Sequence, residues 1–374
     1  GEITMRDRVR RLVIKPTLIC TANCAGCASR RELHRNLAAE NPVPLDHWKE
    51  VLQDACGIGL RDLHISGGEP TLYPGLLDLI SSGKSLGLRV RLNSNGSMIT
   101  RRLAKALLGA GLDEICISLY SHKAETHNRF CKSRNLWESA SEAVRILAEL
   151  RAQYPRFFLG TMSIILRENF RDFAELLRFH RDLGSQQMGV SYLEGDFTSE
   201  YLLTGEEIAE FRSRVLPEML EYAQKFDPRI RNRSRNMIRR LFSESIATTD
   251  DFAEGRYWAR GYCDVPGTAG LIMANGDVHP CNIVEYTHGP VMGNLFRSSF
   301  REIWFSRPWK RYRKKLHPKC VNCPVNIYTA IPLEPDPGSG GLVSIYHSEA
   351  FNLFRPGAEW LRGFLKRQGR RFRV

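Results

Sequence analysis

Between residues 11 and 193, apolar runs of strand length alternate with amphipathic stretches, and the alternation repeats six times. Strands that alternate with helices pair in parallel, because each helix carries the chain back across the sheet before the next strand begins. Residues 11–18 read as the first strand. Trp48, Val51, Leu52 and Ala55 then fall at i, i+3, i+4 and i+7, which marks a helix capped by Asp46 and ended by Gly57 and Gly59. Further strands are expected at 60–66, 88–92, 113–119, 157–165 and 188–193. Helices are expected at 76–86, 101–108 with Thr100 as cap, 136–150 and 173–183. The predicted class is α/β, a partial (β/α)6 barrel of the TIM type. In such a fold the ligand-binding residues lie at the C-terminal ends of the strands.

Those ends carry the residues with chemistry. Cys20, Cys24 and Cys27, at offsets of four and three, directly follow the first strand. Three thiolates on one loop bind three irons of a cubane cluster and leave the fourth iron open. An electron-transfer cluster normally takes four cysteines, so the incomplete set points to an iron that binds something else. Zinc is the competing reading; it prefers four protein ligands, and His34 is a candidate fourth. Gly67-Gly68-Glu69-Pro70 follows the second strand. Paired glycines let a backbone come close to a ligand, and Glu69 offers a carboxylate to an ammonium group. Asn95 follows the third strand and Ser118 ends the fourth.

The CxxxCxxC loop after the first strand, with GGEP after the second, resembles the radical S-adenosylmethionine (SAM) superfamily. The resemblance implies a [4Fe–4S] cluster on Cys20, Cys24 and Cys27, with SAM chelated at the open iron. One electron then cleaves SAM, and a 5′-deoxyadenosyl radical takes hydrogen from the substrate. It further implies that Gly67, Gly68, Glu69 and Pro70 hold the SAM amino group, that Asn95 helps line the SAM pocket, and that Ser118 contacts its ribose or carboxylate. One position departs from the family pattern: Gly26 stands where an aromatic residue often precedes the third cysteine.

A second cysteine set lies at Cys263, Cys281, Cys320 and Cys323. Asn275-Gly276 between two apolar runs predicts a β-hairpin. Four thiols fully ligate a second [4Fe–4S] cluster, and structural zinc is the alternative. The spacing resembles the twitch domain, the short form of the SPASM extension. The expected division is 1–240 for the radical SAM core, 241–330 for a small α+β twitch domain with a β-hairpin, and 331–374 for a linker and basic tail. Of the cysteines left over, Cys131 falls in the loop after the fourth strand. By resemblance to radical epimerases it is the candidate hydrogen donor to a substrate radical.

Composition narrows the setting. The chain of 374 residues is 43% hydrophobic and 25% charged, ordinary for a globular protein. No apolar run reaches the length of a membrane span and no signal-peptide pattern is present. Grouped cysteines in such a chain read as metal sites, so the expected location is the cytoplasm. A net charge of +13 favours an anionic small-molecule substrate and is compatible with nucleic acid. The resemblance implies an external electron donor such as flavodoxin or ferredoxin. The expected reaction is hydrogen abstraction from a sugar, aminocyclitol or related natural-product intermediate, giving epimerisation or dehydrogenation. The alternative is a ribosomal-peptide maturase, and after it a tRNA-modifying enzyme.

Overall fold

In the computed structural model, β1 (Arg11–Ile14), β2 (Asp62–Ile65), β3 (Arg89–Ser94), β4 (Glu114–Ser118), β5 (Phe158–Ile165) and β6 (Gln187–Tyr192) lie side by side in chain order, each parallel to the next. The structure describes residues 8–27, 42–193, 200–226, 231, 234–235, 238–239, 241–242, 250, 265–281 and 290–314. His34, Cys263, Cys320, Cys323 and residues 331–374 lie outside the described residues. Between the strands run α1 (Leu45–Gly57), α2 (Leu76–Ser85), α3 (Arg101–Gly109), α4 (Ala124–Cys131), α5 (Leu136–Leu150) and α6 (Phe173–Asp182).

Side-chain alternation sets the register. Leu63 and Ile65, Val90 and Leu92, and Ile115 and Ile117 share one buried core with Trp48, Leu52, Leu79, Leu107 and Val144 of the helices. A slip of one residue would turn that set away from the helices. The opposite phase turns Asp62, His64, Arg91 and Glu114 into the barrel. There Arg91 Nη2 lies 3.2 Å from Asp62 Oδ1, and Arg89 Nη2 lies 2.8 Å from Glu114 Oε2. Burial pushes the His64 imidazole down to about 3, and the cations of Arg91, Arg11 and Lys15 act in the same direction.

Three local expectations are corrected. β1 stops at Ile14 rather than residue 18, because Pro16 has no amide to extend the ladder. Asp46 lies in the first turn of α1, and the cap position is Pro44, without a side-chain cap. Cys131, expected in a loop, is the last residue of α4, which ends where Lys132 turns left-handed at φ 49°. Thr100 caps α3 as expected, its Oγ1 accepting the Leu103 N–H at 3.2 Å.

Beyond β6, α7 (Gly205–Glu210) starts from a Thr204–Glu207 capping box and runs through a π-helical turn into α8 (Leu216–Ala223). Their buried face joins Tyr192, Phe211 and Phe242 in a second core. The expected hairpin is present: β7 (Ala269–Ile272) and β8 (Asp277–His279) pair antiparallel, and Gly276 supplies φ +82° at the turn. β7 also pairs in parallel with β1, Ile14 against Ile272, and β9 (Gly293–Asn294) pairs with β8. Among the described residues the result is one nine-stranded sheet in the order β6-β5-β4-β3-β2-β1-β7-β8-β9. α9 (Phe300–Phe305) begins at a Ser299–Glu302 capping box and leads into α10 (Arg307–Lys314). Trp304 and Trp309 meet at 4.6 Å between ring centres, and a Cβ on Gly270 of β7 would lie 3.3 Å from Trp309. Among the described residues no helix is long and apolar enough to cross a membrane.

Candidate active site

Because β1 to β6 are parallel, the segments that follow them gather at one end of the sheet. The segment after β1 holds Cys20, Cys24 and Cys27, each half-buried. It is fastened to the segment after β2 by Gly68 N–H to Thr17 O at 2.9 Å and Glu69 N–H to Ile19 O at 2.7 Å. The glycines make this approach possible. A Cβ on Gly67, at φ +139°, would lie 2.3 Å from Thr17 O, and one on Gly68 would lie 2.3 Å from Ile19 O and 2.4 Å from Leu18 O. Paired glycines were expected to admit a ligand. In the structure the space beside them is filled by the backbone of the cysteine loop.

Glu69 is fully buried. Its Oε1 accepts from Thr71 N at 3.1 Å, Thr71 Oγ1 at 2.5 Å and Ser94 Oγ at 2.8 Å, and its Oε2 accepts from Asn95 N at 2.7 Å. Burial raises its carboxyl and these donors oppose the rise. The side chain expected to meet an ammonium group is thus held by the protein, and it joins the ends of β2 and β3. Asn95 passes the tie on to the cysteine loop: its Nδ2 donates to Thr21 Oγ1 at 3.0 Å and lies 3.5 Å from Cys20 Sγ. Pro70 opens a short turn, and Ser118 ends β4 half-buried.

On its other side the cysteine loop meets α4. Asn23 N–H donates to Cys131 O at 3.0 Å and Ala25 N–H donates to Phe130 O at 2.9 Å. These two bonds bracket Cys24. The Cys131 side chain is fully buried, and its Sγ lies 3.6 Å from His127 Nε2. The neighbouring Cys24 thiol and burial hold the Cys131 thiol far above the ordinary range. Tyr120 stacks on His127 at 5.5 Å and meets Phe130 edge-on at 5.3 Å. A Cβ on Gly26 would lie 2.3 Å from Leu193 Cδ1, so Leu193, at the end of β6, fills the space beside this glycine.

The thiols fit an iron–sulfur cluster. Burial holds the Cys20 thiol above its ordinary range, with Cys24 and Glu69 adding to the effect. Iron ligation would reverse that preference, because a coordinating thiol gives up its proton to the metal charge. Among the described residues no three Cys, His, Asp or Glu side chains gather on one point as a single ion requires. A cubane instead presents a separate iron to each thiol. Of the rear set, Cys281 follows β8 and is half-buried.

Tyr120 and His127 are the site residues that the sequence reading missed. His127 lies four residues before Cys131, the spacing that puts two side chains on one face of a helix. Reading 124–131 as helix would have paired them.

A parallel barrel that gathers three thiols on the loop after its first strand defines an iron–sulfur protein of the barrel class. Residues 14–180 match the radical SAM superfamily, and residues 263–324 match the SPASM iron–sulfur cluster-binding domain. The chain carries a radical SAM domain over residues 14–180 and a SPASM/twitch iron–sulfur domain in its C-terminal region. The two domains imply SAM, a [4Fe–4S] cluster and an additional cluster. The chain is 24% identical to the AdoMet-dependent heme synthase of Methanosarcina barkeri over 81% of its length and 84% of the relative's. It is 25% identical to the PqqA peptide cyclase of Streptomyces rochei, over 84% of its length and 81% of the relative's. Among solved structures, Streptococcus suis SuiB bound to S-adenosylmethionine shares the fold. The TM-score is 0.60 at 17% identity, covering 87% of this chain and 70% of SuiB.

Proposed function

We propose that this radical SAM enzyme acts on a peptide. The observation that carries the reading is its likeness to PqqA peptide cyclase, which extends over 84% of this chain and 81% of the Streptomyces rochei protein. That likeness moves the preferred substrate from the sugar or aminocyclitol first expected to the peptide held as the alternative. The heme synthase likeness, over 81% of the chain, supports a tetrapyrrole as the second reading. The net charge of +13 suits an anionic group on either substrate.

Cys20, Cys24 and Cys27 would hold the site cluster, and Cys263, Cys281, Cys320 and Cys323 the additional one. When bound, the site cluster and SAM supply the radical that removes hydrogen from carbon. The chain's own part is position and exclusion of water. Glu69 and Asn95 hold three loops in register, the Gly67–Gly68 pair seats the cysteine loop, and Ser118 would contact the ribose or carboxylate of SAM, as the family resemblance implies. Phe130, Leu166 and Leu193 form an apolar wall beside the thiols. A donor of the flavodoxin or ferredoxin kind would supply the electron.

The test uses the full chain prepared without oxygen, with reductant, SAM and short peptides encoded beside its gene. 5′-Deoxyadenosine together with a peptide changed in hydrogen count supports the reading. Deoxyadenosine formed only when a tetrapyrrole is added transfers the assignment to the second reading. Turnover of sugars alone rejects both.

A further inference from the structure

The Asn95 side chain, on the segment after β3, reaches a sulfur of the cysteine loop after β1. Its Oδ1 accepts the Ser97 N–H at 2.9 Å. A backbone amide can only donate, so the atom facing Ser97 is the carbonyl oxygen and the amide nitrogen points the other way. There Nδ2 donates to Thr21 Oγ1 at 3.0 Å and to Cys20 Sγ at 3.5 Å, which uses both of its hydrogens. The surroundings hold the amide in this place. The Asn95 N–H donates to Glu69 Oε2 at 2.7 Å. A Cβ on Gly96, at φ +81°, would lie 2.9 Å from Ala140 Cα, so the turn sits hard against α5. Thr21 Oγ1 lies 2.7 Å from Ser97 Oγ. Cys20 Sγ also accepts from the Ala22 N–H at 3.4 Å. The Ala22 donor is main chain and survives a side-chain substitution, whereas the Asn95 donor does not.

We infer that Asn95, through its N–H···S bond to Cys20, raises the reduction potential of the cluster held by Cys20, Cys24 and Cys27. The physical reason is charge. One electron from a donor of the flavodoxin or ferredoxin class makes the cluster and its ligating sulfurs more negative. A hydrogen bond to such a sulfur stabilises the reduced state over the oxidised one. The family resemblance gives Asn95 a place in the wall of the SAM pocket. The bond to Cys20 adds a second task, in which Asn95 is a positioning residue that acts through the sulfur without touching the iron. The inference rests on the cluster assignment and is independent of the peptide substrate.

The experiment is an anaerobic redox titration of the loaded full-length protein. The site-cluster signal is identified by its response to SAM and then titrated without SAM, so a changed SAM pocket does not enter the measured potential. The parent is compared with Asn95→Ala and Thr21→Val. The Ala protein should titrate lower by about tenfold in the reduction equilibrium, which for one electron is about 59 mV. The Val protein loses the other acceptor of the same amide and keeps the bond to Cys20, so it should lie close to the parent. An Ala protein at the parental potential overturns the inference. Equal shifts for the two variants overturn it too, because they mark a displaced loop. If the Ala protein fails to load, Asn95→Asp is read against Thr21→Asp. The first keeps an acceptor for the Ser97 N–H and loses the donor; the second brings the same charge to the loop with the donor kept. A larger fall in the first supports the inference, and equal falls overturn it. A parent that takes up no iron rejects the ligand assignment along with this inference.

Discussion

Gly68 occupies a point where two backbones touch, and no side chain fits between them. A Cβ there would lie within 2.5 Å of Leu18 C, Leu18 O and Ile19 O, all main-chain atoms that cannot rotate away. Gly68→Ala should therefore displace the cysteine loop rather than unfold the barrel. The cost of such overpacking is about 1–3 kcal/mol. The expected readings are iron per chain reduced by half or more and SAM affinity weakened at least tenfold. Gly109→Ala is the control, since nothing lies within 4 Å of its Cβ position. Parental iron content and SAM affinity in the Gly68 variant would refute the argument. The glycine pair itself was legible in the sequence as a close approach. Its partner was not, because residues 17–19 meet residues 67–68 only once β1 and β2 are paired.

At the scale of elements, α6 is seated on β5 by a buried imidazole. His180 Nδ1 lies 2.5 Å from Thr161 Oγ1, and its Nε2 lies 3.3 Å from Ser163 Oγ. Burial pushes its pKa down to about 3 from the ordinary 6.5. The folded value is the lower one, so the unfolded chain binds more protons across the window between them. The stability this group confers is complete above about pH 6.5 and falls as the solution is acidified towards 3. The slope is about 1.4 kcal/mol per pH unit. His64 and His127 shift the same way. Denaturant unfolding at pH 7, 6 and 5 should show stability declining with acid, and His180→Gln should make the decline shallower by roughly that slope. A variant that declines as steeply as the parent would remove His180 from the account. α6 was readable from its apolar period. α4 was hidden because its cap position, Lys123, offers no side-chain cap and it is only eight residues long, so its helical face became evident only from the burial of His127, Phe130 and Cys131.

At the scale of the molecule, the barrel interior carries a charge network and one edge of the barrel carries the rear hairpin. Arg91 is 1% exposed and faces both Asp62 and Glu114. Arg91→Met would leave two interior carboxylates without its guanidinium, and breaking a buried pair from one side costs about 3–5 kcal/mol. The expected outcome is a clear fall in denaturant midpoint, measured beside Lys49→Met. The Lys49–Asp46 pair is exposed, and its loss should change stability by less than about 1 kcal/mol. Equal effects from the two variants would mean that Arg91 contributes no more than a surface ion pair.

Much of this molecule is local and was therefore open to reading from the chain. Strand and helix periods depend on neighbours within a few residues, and so do the Asn275-Gly276 turn, the Thr100 cap and the spacing of Cys20, Cys24 and Cys27. The rest depends on residues far apart in sequence. The parallel pairing of β7 with β1, the backbone bonds of the cysteine loop to Phe130 and Cys131, the employment of Glu69 by Ser94 and Asn95, and the filling of the space at Gly26 by Leu193 are distances through space. No local period encodes them, and they were settled only when the strands took their order and brought their loops to one end.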